Sequence, residues 1–462
     1  MFFSLQGLEH LHLTHCVIEL PLTFDGFITL RSLELFDANI TAQTLQQILT
    51  NCPILEEFIL LCGGLSDFKK MVEVQSQSLD TISALPQDTI EKILTHMPIQ
   101  DALRTSILSR KWRHCWKGMP KLVFDDKYLN TSSCSREIRK YKFVTAIFHV
   151  LMLHNGPILE FSISINPDTK IVDEIDQIIL YLSQSKNIKK FTFKIWSNDI
   201  MGLFIFEDYK LPSVFFSLQG LEHIHLTRCV IELPLTFNGF IMLRSLNLCD
   251  VNITGKTLQQ LLTNCPILEE FILIVCQDIT STPRTKSTFL ELSKCLSSVQ
   301  VLKIAKYYIK QYAEDDSMQQ KLPTLLVHLR ILFLDVCFLK QDELSYALSV
   351  ISSSPNLEKI KIEIDIKYKV CGEETRNDLL DLQDYSGINL DHLEELEITN
   401  FGNYDPEMEF LKLIVAKSPV LKKARIKLNS DVSMDKENKM LRDLLRLTFP
   451  RASLGVDIIV ER

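Results

Sequence analysis

The sequence predicts an α/β fold: a small three-helix segment, then a curved solenoid of strand-and-return coils, with a fragment of that solenoid duplicated ahead of the helices. Three observations predict it. A short apolar string recurs through the C-terminal two-thirds of the chain. Residues 80–118 break that recurrence with helical spacing, and residues 2–60 nearly repeat residues 215–273.

Bulk properties narrow the function classes. At 462 residues and 53.3 kDa the chain can bury a large core and hold more than one domain. A formal net charge of -8 argues against an electrostatic grip on nucleic acid, which needs Lys and Arg to release counterions. The 12 cysteines form no CxxC pair and read as small buried hydrophobes of a reducing compartment, not a disulfide framework or zinc site. The N-terminus lacks the basic flank and long apolar stretch of a secretory peptide. The longest apolar run, Phe143 to Leu153, is about half of a bilayer span. A cytoplasmic or nuclear home is expected, with no membrane or nucleic-acid partner and with the sequons at Asn39 and Asn252 unmodified.

In chain order, the duplicated fragment comes first, at 1–61. Phe2-Phe-Ser-Leu-Gln-Gly-Leu-Glu-His returns at Phe215, and Asn51-Cys-Pro-Ile-Leu-Glu-Glu-Phe-Ile-Leu returns at Asn264; about 49 of 59 positions agree. It is either an extra module of about three coils or debris of recombination between tandem copies, or of a merged gene model. The second reading is favoured, because three coils are near the minimum for a stable array and neither end carries a cap. A polar linker follows at 62–79.

Residues 80–120 read as three short helices. Pro86 suits a helix start, and Ile90, Ile93, Leu94 and Met97 follow at i, i+3, i+4, i+7 before Pro98. Asp101 is placed to cap a second helix carrying Leu103 and Ile107, and Ser109 a third with Trp112 and Trp116 one turn apart. So small a trio offers too little interior to hide all its apolar side chains, so some must meet a partner.

From 121 onward the apolar-x-x-apolar-x-apolar string dominates. It appears as Leu221 to Leu226, Leu243 to Leu248, Leu268 to Leu273, Val299 to Ile304, Leu329 to Leu334, Leu357 to Ile362, Leu393 to Ile398 and Leu421 to Ile426, with degenerate versions at Ile158 and Ile188. Its last three positions alternate inward and outward as a short strand. Thr254 to Pro266 supplies a helical return, with Leu258, Leu261 and Leu262 on one face and the proline as its stop; Ser354-Pro355 and Ser418-Pro419 repeat that stop. Spacings of roughly 22 to 36 residues make this a leucine-rich-repeat solenoid with long coils.

With these residues in view, Ile82-Ser-Ala-Leu-Pro-Gln-Asp, Ile93-Leu-Thr-His-Met-Pro and Asp101 through Trp116 resemble an F-box over about forty residues. Leu122-Val-Phe-Asp125 and the stretch from Leu390 to Val460 resemble the plant F-box/FBD/leucine-rich-repeat group. The resemblance departs from the group in placing a repeat fragment ahead of the F-box. It divides the chain into an F-box (80–120), a solenoid (121–389) and an FBD-like region continuing it (390–462).

The resemblance implies a non-catalytic substrate adaptor of a Skp-cullin-F-box type ubiquitin ligase (SCF). A Skp-type adaptor would link it to cullin and RING subunits while the repeats hold an unknown protein target. Carried over position by position, Leu85, Pro86, Ile90, Ile93, Leu94 and Pro98 present the adaptor-binding ridge, and Leu103, Leu108, Trp112 and Trp116 are divided between that interface and the domain's own core. The alternative is a repeat scaffold, or a decayed paralogue, without ligase engagement.

Outward strand residues are expected on the concave face: His225, Asn247, Ile272, Lys303, Ile331, Phe333, Lys361, Glu397 and Arg425, apolar at the centre and charged around it. A flanking helix or loop could instead cover Phe333. Catalytic motifs are absent: no GxGxxG, Walker loop, GxSxG or HExxH occurs. His10 with His12, and His223 with His225, lack a third ligand nearby, so no metal or cofactor is expected.

Overall fold

The computed structural model describes residues 8–61, 85–128, 136–166, 172–195, 209–274, 292–305, 325–365, 387–445 and 452–462, less 21–23, 25–26, 28, 37, 42–43, 45–46, 49–51, 53–56, 107–110, 185–186, 339–340, 431, 433 and 454 within them. It is a mixed α/β chain of two compact units, 1–163 and 164–462.

The first unit opens with β1 (His10–Thr14), β2 (Val17–Ile18), β3 (Ser32–Phe36), β4 (Asn39–Ile40) and β5 (Glu57–Leu61). Strands β1, β3 and β5 form a parallel sheet in that order, and β2 pairs with β4. Phe24, Phe27, Leu30, Leu33, Leu35 and Ile48 fill the core beneath. Leu8, Leu13 and Cys16 are only partly buried, whereas their copies Leu221, Leu226 and Cys229 are fully buried. The cause is position. Among the described residues strand β1 is paired on one side only, with β3.

Next come α1 (Gln87–Thr95), α2 (Ile99–Thr105) and a 3-10 segment (Trp112–Gly118), then β6 (Lys121–Asp125), α3 (Arg136–Leu153) and β7 (Glu160–Ile165). Two local expectations are corrected. Asp101 does not cap α2; Pro98 takes that place and Asp101 lies in the first turn, paired with Arg104 at 2.8 Å. The third helix is 3-10, not α. At about 120° per residue its two tryptophans diverge, so the segment can wedge one against each neighbour. It packs on both α1 and α2.

The second unit carries α4 (Val172–Gln184), β8 (Lys190–Ile195), β9 (Tyr209–Lys210), β10 (His223–Thr227), β11 (Cys229–Val230), β12 (Ser245–Cys249), α5 (Gly255–Thr263), β13 (Glu270–Ile274), β14 (Val301–Ile304), β15 (Ile331–Val336), α6 (Gln341–Ser352), β16 (Lys359–Ile364), β17 (Glu395–Phe401), α7 (Asp405–Ala416), β18 (Lys423–Leu428), α8 (Met434–Leu445) and β19 (Asp457–Glu461). Strands β8, β10 and β12 to β19 lie side by side in chain order, all parallel. Each coil therefore contributes one strand, and the recurrent apolar string is that strand. Its inward residues, such as Leu246, Phe271, Leu302, Leu332, Ile360 and Leu396, are 0–1% exposed. Burying such side chains is worth about 1.5–3 kcal/mol each, which is why coils hold only when stacked.

Local chemistry closes each coil. Thr254 Oγ1 caps α5 by accepting from Thr257 N at 3.2 Å. Ser354 and Ser418, read from the sequence only as stops, bury their hydroxyls by donating to Val350 O and Ile414 O. Gly239 answers a close approach: its φ is +99, and a Cβ there would lie 2.2 Å from Asn264 O. Arg228 and Asp250 follow their strands with positive φ, turning the chain off the sheet, while Asn400, also at positive φ, lies within β17 where its register with β18 shifts.

Candidate protein-interaction surfaces

In the F-box, the amphipathic spacing of α1 sends Ile90 and Leu94 inward, both 0% exposed. Ile99, Ala102, Trp112 and Trp116 complete this small core, and Trp116 Nε1 is satisfied by Arg113 O at 3.1 Å. Four residues considered for adaptor contact are thus interior: Ile90, Leu94, Trp112 and Trp116. The physical reason is that i, i+4 pairs on short helices face the neighbouring helix before they face anything else. Pro86 is exposed, and Leu85, Ile93, Pro98 and Leu103 are half-buried. Leu108 lies outside the described residues. Lys111 Nζ donates to Leu85 O, tethering the segment ahead of α1 to the 3-10 segment. Burial raises the Asp101 carboxyl pKa, and Arg104 opposes that shift.

On the repeat sheet, outward residues line up across strands. One row runs His225, Asn247, Ile272, Lys303, Phe333, Lys361, Glu397, Arg425 and Ile459. The adjacent row runs His223, Ser245, Glu270, Val301, Ile331, Lys359, Glu395, Lys423 and Asp457. The residues expected on one face therefore do share it, most of them half-buried.

The alternation of charge on this face is not a set of free charges. Lys359 meets Glu395 at 2.6 Å, Lys361 meets Glu397 at 3.0 Å, and Arg425 meets Glu461 at 3.3 Å. Just before the strands, Lys189 pairs with Glu222, Arg244 with Glu269, Arg330 with Glu358, and Lys422 with Glu394. The hydrogen bond and charge of Lys359 hold the Glu395 carboxyl below its ordinary pKa. At the other end, burial first and then Lys194 and Lys190 push the His225 imidazole down to about 4. No third ligand joins His223 and His225: among the described residues no group of three His, Cys, Asp or Glu could hold a metal ion.

Two residues escaped sequence reasoning. Glu343 and Glu407 are almost fully buried, and each accepts from the backbone where a strand turns into a helix. Cys337 N donates to Glu343 at 2.9 Å, and Gly402 N and Tyr404 N donate to Glu407 at 2.8 and 3.2 Å. Their one visible signal is a glutamate at the third helical position, as in a capping box.

A compact helical trio followed by a parallel repeat sheet defines an F-box protein with a leucine-rich solenoid. Residues 82–124 match the F-box domain, 199–307 match "FBD-associated F-box protein At5g56370, LRR repeats", and 389–426 match the FBD. The F-box/FBD/LRR-repeat protein At1g13570 of Arabidopsis thaliana is 31% identical over 422 residues, covering 82% of this chain and 97% of its own. The F-box/LRR-repeat protein At3g03360 of the same plant is 27% identical over 217 residues, covering 44% of this chain and 41% of its own. The chain belongs to the F-box/FBD/LRR-repeat family. A solved leucine-rich-repeat protein of Leptospira interrogans is also similar, at 16% identity and a TM-score of 0.21, covering 67% of this chain and 91% of its own.

Proposed function

We propose that this chain is a substrate-recognition adaptor of a Skp-cullin-F-box type ubiquitin ligase. The F-box docks on a Skp-type adaptor, and the repeat sheet holds a protein target. The chain performs no bond chemistry. It raises the effective concentration of a target lysine near the charged conjugating enzyme. The observation that carries this reading is the division within the F-box. The trio completes its own core with Ile90, Leu94, Trp112 and Trp116, yet leaves Pro86 exposed and Leu85, Ile93, Pro98 and Leu103 only half-buried. An apolar ridge that the internal core does not need is what a second polypeptide would cover.

Pull-down with a purified Skp-type adaptor tests it. Wild type is expected to bind, and Leu85→Ala/Pro86→Ala to lose binding with an unchanged melting temperature. Failure of the wild type to bind would leave the repeat scaffold reading in its place. A cytoplasmic or nuclear location accompanies this function, supported by the free, buried thiols of Cys52, Cys229, Cys265 and Cys337. Cell fractionation would check it.

A further inference from the structure

Among the described residues of the repeat face, the charge within the apolar patch is not cancelled by an ion pair. Lys303 stands on β14 between Ile272 of β13 and Phe333 of β15, in register with both. Val301 and Ile331 occupy the adjacent row on the same two strands. Elsewhere on this face the cations beside the apolar patch are paired, Lys359 with Glu395 and Lys361 with Glu397. The nearest carboxylate on the other side, Glu270, accepts the Ser245 hydroxyl. Among the described residues Lys303 has no hydrogen-bond or ion-pair partner. A lone ammonium group inside an apolar patch loses hydration to anything that covers it, unless that cover brings an anion.

Spacing selects the form of the cover. Neighbouring strands lie about 4.8 Å apart, so Ile272, Lys303 and Phe333 present one contact per strand at that interval. An α-helix lying across the strands repeats a face about every 5.4 Å, whereas an extended chain repeats one about every 6.7 Å. The helix is nearly commensurate and the strand is not. The geometry points to an acidic amphipathic helix of a partner protein as the occupant, with a carboxylate on Lys303 and apolar side chains one turn before and after it on Ile272 and Phe333. This rests on reading the repeat face as the target-holding surface, and it names the target's chemistry.

The test pans a display library of helical peptides of about 15 residues on the full-length chain, with leucine at i and i+7 and the i+3 and i+4 positions randomised. Wild type should enrich Asp or Glu at the randomised turn. Lys303→Glu should enrich Lys or Arg there instead. By fluorescence anisotropy, the selected acidic peptide should bind Lys303→Glu at least about tenfold more weakly. Phe333→Ser should weaken binding by about tenfold, with circular dichroism of the variant matching that of the wild type, since Phe333 is only half-buried. Absence of enrichment, enrichment independent of residue 303, or equal binding of a proline-broken version of the peptide each overturns the inference. Pull-down of the Skp-type adaptor by these variants is expected to match wild type, so this result stands or falls separately from the F-box reading.

Discussion

His225 and Asp250 show how much a single environment decides. His225 sits half-buried in the outward row, beside Thr192 and Asn247, with Lys190 and Lys194 on the neighbouring strand. Its duplicate, His12, faces Glu34 instead, with Nδ1 2.7 Å from Oε2. Because the folded His225 takes a proton only near 4, while an unfolded histidine takes one near 6.5, the unfolded chain binds more protons between those values. Stability therefore falls as pH drops from about 6.5 to about 4, and this contribution is level outside that window. NMR titration should find His225 neutral down to about pH 4, and His225→Gln should flatten that part of the stability profile. Asp250, at φ 52, donates its backbone N–H to Ile274 O at 2.7 Å. Asp250→Val should cost about 1–2 kcal/mol in urea unfolding, since a β-branched side chain tolerates this backbone poorly.

At the scale of elements, the strand-to-helix corners depend on buried carboxylates. Removing Glu407 strands the backbone N–H groups of Gly402 and Tyr404 without an acceptor. Glu407→Ala is expected to destabilise the second unit by about 1–3 kcal/mol, read as a lower midpoint in denaturant, and Glu343→Ala to act alike through Cys337. The ion pairs along the sheet behave differently. Lys359 and Glu395 remain substantially exposed, so a double-mutant cycle on them should give only about 0.2–1 kcal/mol, shrinking with added salt.

At the scale of the whole molecule, β1, β3 and β5 of the duplicate repeat β10, β12 and β13 of the original, position for position. What differs is company: β10 has β8 and β12 as neighbours, whereas β1 has, among the described residues, β3 alone. Sheet ends of this kind invite pairing with other chains. A chain beginning at residue 80 should keep wild-type affinity for the Skp-type adaptor and show less self-association by light scattering. Retention of self-association in the shortened chain would point to another source.

The strands, their inward residues and the α5 return were legible in the sequence, because apolar period and proline stops depend only on near neighbours along the chain. The F-box was legible through residue types at matching spacings. Which F-box residues are covered was not: Ile90 and Ile93 share one stripe, yet only Ile90 is fully buried, since that depends on where the 3-10 segment packs. Nor could one strand at a time reveal that Lys361 is neutralised by Glu397 while Lys303 is not. Register between coils decides which side chains stand opposite one another, and register is set by stacking across some thirty residues of intervening chain. Local pattern thus determined the elements, and tertiary packing alone decided which of their surfaces were left to meet a partner.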